Sequence, residues 1–103
     1  MRILLKVNIP VDRGNAAAKA GALGKTIQSI LDEQKPEAVY FGEEGGMRTG
    51  YLFLNLADAS EIPKVCEPWF LAFNAGLTIR PVMKPEDLAK AGPYIDQAVK
   101  KYA

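Results

Sequence analysis

Apolar and polar residues alternate with a period of two near the start of the chain. In Arg2 to Ile9, Ile3, Leu5, Val7 and Ile9 point one way and Leu4, Lys6 and Asn8 the other. That is the pattern of a strand with one buried face. The same alternation returns in Arg48 to Leu56. There Gly50, Leu52, Leu54 and Leu56 share a face opposite Thr49, Tyr51, Phe53 and Asn55. Shorter runs, Ala38 to Gly42 and Leu77 to Met83, read as two further strands. Between them the spacing turns helical. Leu23, Ile27, Ile30 and Leu31 make one stripe of a helix over Leu23 to Gln34, and a second helix is predicted around Val65 to Phe73.

Breakers and caps set the boundaries. Pro10 ends the first strand, and Val11 to Asn15 form a loop or first turn in which Asp12 and Asn15 are N-cap candidates. Ala16 to Ala18 favour a helix that Gly21 and Gly24 weaken. Pro36 stops the helix after it. Glu43-Glu44-Gly45-Gly46 reads as a hairpin turn, since glycine supplies positive φ. Asp58 and Glu61 are spaced as a capping box. With Pro63 and Pro68 close by, the expectation is a short turn and then a helix that is kinked or starts near Pro68. Gly76 is the expected left-handed cap. Pro81 cannot donate to a central ladder, so the fourth strand belongs at an edge. The tail splits at Gly92 into short helices begun by Pro85 and Pro93.

The resulting order is strand, helix, strand, strand, helix, strand. This is the ferredoxin-like βαββαβ pattern of an α+β domain, with a helical tail. One domain over 1–103 fits the length.

One sheet face is explained by the helices. The other carries Leu4, Lys6, Asn8, Tyr51, Phe53, Asn55, Thr78, Arg80 and Val82. A face left in water is mainly polar, whereas this one mixes aromatic, aliphatic and charged groups. A second copy of the chain, closing sheet against sheet about a two-fold axis, buries both patches. The expected partner is therefore the chain itself. Lys6, Asn8 and Arg80 then need counterparts: water, Glu43 or Glu44, or an anionic ligand.

Composition removes whole classes of function. Thirteen basic residues against twelve acidic ones leave a net charge of +1, without the basic cluster that nucleic acid or an anionic membrane requires. No stretch approaches the ~20 apolar residues of a membrane span, and the N-terminal apolar run is too short for a signal-peptide core. One cysteine, Cys66, excludes an internal disulfide and fits a reducing, cytoplasmic setting. Histidine is absent, which excludes Ser-His-Asp and Cys-His sites and histidine-bound metal or haem. No cofactor is expected, and no residue stands out as catalytic.

The element order, the half-apolar second face and the edge proline are similar to those of the dimeric α+β barrel superfamily. Within it, Lys35-Pro36-Glu37-Ala38-Val39-Tyr40-Phe41 and Ile62-Pro63-Lys64-Val65-Cys66-Glu67-Pro68-Trp69-Phe70 resemble a small bacterial family of uncharacterised proteins. The haem branches of the superfamily use a histidine that this chain lacks. The cofactor-independent monooxygenase branch gathers Asn, Trp, Tyr and Arg around an aromatic substrate between sheet and helices. The resemblance therefore implies ligand-binding candidates by residue type: Lys6, Asn8, Tyr40, Tyr51, Trp69 and Arg80.

Each candidate also has a structural role open to it. Trp69 can anchor the core, and Tyr51 can pack in an interface. Arg80 and Lys6 can pair with Glu43 or Glu44, and Asn8 can satisfy backbone near Pro10. Glu67 is a lone acid, and Cys66 reads as a small buried hydrophobe. Two functions follow as expectations. One is binding or transformation of a small aromatic or carboxylated metabolite without metal or haem. The other is a non-catalytic dimeric interaction or stress-response module.

Overall fold

The computed structural model describes residues 1–103. β1 (Arg2–Ile9) leads into α1 (Val11–Lys19) and α2 (Leu23–Gln34). β2 (Ala38–Glu44) and β3 (Met47–Asn55) follow, then a 3₁₀ turn (Ala59–Glu61) and α3 (Ile62–Phe73). β4 (Gly76–Pro81), α4 (Pro85–Lys90) and α5 (Gly92–Tyr102) complete the chain. The four strands form one sheet in the order β2-β3-β1-β4, with every neighbouring pair antiparallel. The protein is thus an α+β domain of ferredoxin-like kind. β4 lies at an edge, as Pro81 demands.

The register sorts the side chains. Ile3 pairs with Leu54, Leu5 with Leu52 and Ile79, and Val7 with Gly50 and Leu77, all on one face. α2 covers that face with Ile30, flanked by the partly buried Leu23, Ile27 and Leu31. From α3 come Val65, Trp69 and Phe73, four residues apart and so on one side of the helix. Cys66 joins them, and the Trp69 and Phe73 rings stack at 6.2 Å.

Several expectations need correction. β2 runs through Glu43 and Glu44, and the turn is Gly45-Gly46 alone, at φ 58° and 82°. Two glycines with positive φ close a two-residue hairpin, so the glutamates are free to pair in the ladder. α1 starts directly after Pro10, and neither Asp12 nor Asn15 caps it. Asp12 instead accepts from the Arg13 N–H, and Asn15 turns outward to Arg48. The break between α1 and α2 falls at Gly21, φ 70°. α3 starts at Ile62 with Pro63 in its first turn and continues past Pro68, because its buried face holds it together. Asn74, not Gly76, takes the left-handed cap at φ 55°, and Gly76 already begins β4. The box around Asp58 is displaced by one residue at each end. Asp58 accepts from Ser60 N and Glu61 from Ala57 N.

The tail leaves the body. α4 and α5 bury no residue, and Tyr94, Ile95, Val99 and Tyr102 of α5 are all exposed. The radius of gyration is 17.2 Å with a long axis of 59 Å. A compact chain of this length has a radius of about 13 Å.

Candidate functional site

The bare sheet face holds five of the six candidates. Asn8, Lys6, Tyr51, Tyr40 and Arg80 share it, because Lys6 pairs with Tyr51, Tyr51 with Tyr40 and Leu4 with Arg80. Lys6 is not free. Its Nζ donates to Glu44 Oε1 at 2.7 Å, and the Tyr51 hydroxyl donates to Glu44 Oε2 at 3.1 Å. The Lys6 ammonium holds the Glu44 carboxyl below the usual glutamate range, with Tyr51 adding to it. Loss of hydration pushes the Tyr51 phenol up, and the Glu44 charge pushes it further. Asn8 Nδ2 donates to Thr49 Oγ1 at 2.9 Å, and Thr49 donates to the Met47 carbonyl. Asn8 therefore serves Thr49 rather than the backbone near Pro10. Arg80 is exposed and makes none of the three ion pairs of the chain, which join Arg2 to Glu37, Lys6 to Glu44 and Lys64 to Glu61. Tyr40 is 65% exposed.

Trp69 lies on the other side of the sheet. It is 1% exposed, and its Nε1 donates to Gln34 Oε1 at 3.2 Å. Gln34 in turn donates to the Val65 carbonyl at 2.9 Å. The indole N–H is thus occupied, and the ring is left to act as an apolar wall. Beside it is a cavity of about 210 Å³, between the sheet and the helices. Val7, Ile9, Ile27 and Phe41 supply its apolar lining together with Trp69, and Gly50 forms part of its floor.

Gly50 shapes one side of the cavity. It pairs with Val7 on one side and Phe41 on the other. A Cβ there would meet the Phe41 ring at 3.2 Å and Leu52 Cδ1 at 3.3 Å. A glycine within a strand costs roughly 0.5–1 kcal/mol relative to alanine. At this position it lets the Phe41 ring pack directly on the strand at the side of the cavity.

Arg48 stands at the rim of the cavity. Its Nη1 donates to Asn15 Oδ1 at 3.1 Å, and no carboxylate lies within ion-pair distance. Glu43, its direct partner in the β2–β3 register, accepts from Gly46 N instead. Sequence reasoning passed over Arg48, Phe41 and Gly50. Their signal was there: an arginine and a glycine on the face that the alternation assigns to the core.

A larger concavity of about 700 Å³ runs along the outside of α2. It has no hydrophobic lining and is the solvated surface of a helix. Cys66 is buried, and burial with the Glu67 charge pushes its thiol up, away from nucleophilic use. No three metal-ligating acidic, Cys or His side chains converge. No helix is long and apolar enough to cross a membrane.

No protein-family model matches this chain, and a comparison with curated proteins finds no match. Among solved structures, the chain is similar to the de novo designed protein Ferredog-Diesel, at TM-score 0.45 and 9% sequence identity. That similarity covers 79% of this chain and 85% of the design.

Proposed function

We propose that the protein is a homodimer in which each protomer binds a small aromatic or carboxylated organic molecule in the Trp69 cavity, without metal or haem. The observation that carries the ligand reading is the apolar hollow lined by Val7, Ile9, Ile27 and Phe41 beside a fully buried indole. Binding sites are concave, mostly apolar and supplied with few polar groups. At about 210 Å³ this one falls below the ~300–1,000 Å³ of sites for drug-sized ligands, so its occupant has a single ring.

The dimer reading rests on the bare face. Leu4, Tyr51 and Phe53 are only half-buried there, and no helix covers them. Two such faces closed on each other give a dimeric α+β barrel, in keeping with the resemblance to the small bacterial family. The exposed apolar residues of α5, Tyr94, Ile95, Val99 and Tyr102, are a further surface for a second copy to cover. Cys66, unpaired and buried, supports a cytoplasmic setting. The second reading, a dimeric module without chemistry, draws on the same face. Lys6 and Asn8 are already engaged with Glu44 and Thr49, so they suit an interface better than a ligand site.

Trp69 is the chain's single tryptophan, so its emission reports on the cavity. Titration with a panel of one-ring aromatics should shift that emission, and Gly50→Val should abolish the response while circular dichroism stays unchanged. A panel with no effect on the wild type retires the ligand reading and leaves the module. Sedimentation equilibrium of the full chain should give twice the protomer mass, and a monomer at micromolar concentration removes the dimer.

A further inference from the structure

We infer that Arg48 is the anchor for the carboxylate of a one-ring, monoanionic ligand whose ring occupies the hollow lined by Ile27, Phe41 and Trp69; this rests on the cavity reading above. A guanidinium offers five N–H donors in a planar fork that matches a carboxylate. In this chain one of its nitrogens, Nη1, is engaged, and its acceptor is the neutral amide oxygen of Asn15 at 3.1 Å. That contact steadies the side chain without neutralising it. Glu43 is the nearest acid in register, but it is tied to the Gly46 N–H at 3.1 Å.

A second glycine points to the same place. Gly14 sits within α1, where glycine costs about 1 kcal/mol relative to alanine. A Cβ at position 14 would fall 2.5 Å from Arg48 Nη1 and 3.3 Å from its Cδ. Glycine there lets the arginine lie flat against the helix, with its head at the cavity rim. Two locally unfavourable glycines, one in a helix and one in a strand, thus allow the Arg48 side chain and the Phe41 ring to approach the backbone closely.

The chemistry sets the ligand class. The hollow takes a flat apolar group, and the rim takes one negative charge through paired N–H donors. Lys6 and Arg80 lie across the sheet and take no part. Asn15 is a positioning residue, since it reaches the ligand through Arg48.

The test compares two isosteric probes, benzoate and benzamide, by Trp69 emission. Wild type should prefer benzoate by tenfold or more. Arg48→Gln should lose that preference while still binding benzamide, and Arg48→Lys should keep part of it. Asn15→Ala should weaken benzoate alone, by a few-fold. Equal binding of both probes to wild type overturns the Arg48 anchor and leaves the cavity reading intact. Binding of neither overturns both. Thermal midpoints of the variants, unchanged within a few degrees, separate loss of binding from loss of fold.

Discussion

The two faces of the one sheet are built from the same strands and behave as different materials. On the covered face, β1 places Ile3, Leu5, Val7 and Ile9 against Trp69, Phe73 and Ile30, and Gly50 lets the Phe41 ring pack directly on β3. On the bare face, the same strand places Leu4, Lys6 and Asn8 beside Tyr51, Phe53 and Thr49. There the polar groups find each other within the protomer, while the apolar ones stay half in water. On the bare face Lys6 is thus paired locally with Glu44 while Arg80 stays outside any ion pair, and the apolar surface is left half-covered. On the covered face most of the apolar surface is buried, and Arg48, exposed near the start of β3, bonds to Asn15 and has no carboxylate partner. In the proposed reading the bare face meets a second protein surface, and Arg48 meets a small anion.

Substitutions should separate the two faces. Trp69→Ala empties the centre of the covered face and should cost the protomer about 3–5 kcal/mol in denaturant unfolding. An effect near zero would mean that the indole is not part of the core. Phe53→Asp on the bare face should leave the protomer folded and weaken self-association at least tenfold in sedimentation equilibrium, as truncating a central interface aromatic does. A protomer that unfolds instead would place Phe53 in the core. Removing residues 84–103 should weaken association several-fold and barely move the protomer's thermal midpoint, because the tail buries nothing in its own body.

The smallest expected effect is a pH dependence. Lys6 depresses the folded pKa of Glu44, so the carboxylate binds its proton less readily in the native state than in the unfolded chain. Its contribution is complete above the ordinary glutamate value and drains away as pH falls through the lowered folded value. The thermal midpoint of wild type should therefore exceed that of Glu44→Gln at neutral pH. The gap should close on acidification below the glutamate range, and a gap that widens there would show that the pairing works against the fold.

Much of the architecture is legible in local pattern. The limits of β1 and α2 follow from alternation and from Pro10 and Pro36, and the edge position of β4 follows from Pro81. These depend on neighbours along the chain. The errors have a common origin as well. Pro68 argues against a helix by local rules, yet Val65, Trp69 and Phe73 bury one side and carry α3 through it. Asn74 and Gly76 both tolerate a left-handed turn, and only the start of the β4 ladder decides between them.

The candidate site was legible only in its parts. Residue type alone picks Lys6, Asn8, Tyr40, Tyr51, Trp69 and Arg80, but the sheet stands between Trp69 and the other five. Sequence by itself determined which residues share a strand face, since a period of two is a property of the backbone. Tertiary structure alone decided that Arg48 and Gly50 meet at one hollow and that Gly14 packs against Arg48. That meeting depends on how α1 lies across the end of β3, a packing distance that no local spacing encodes.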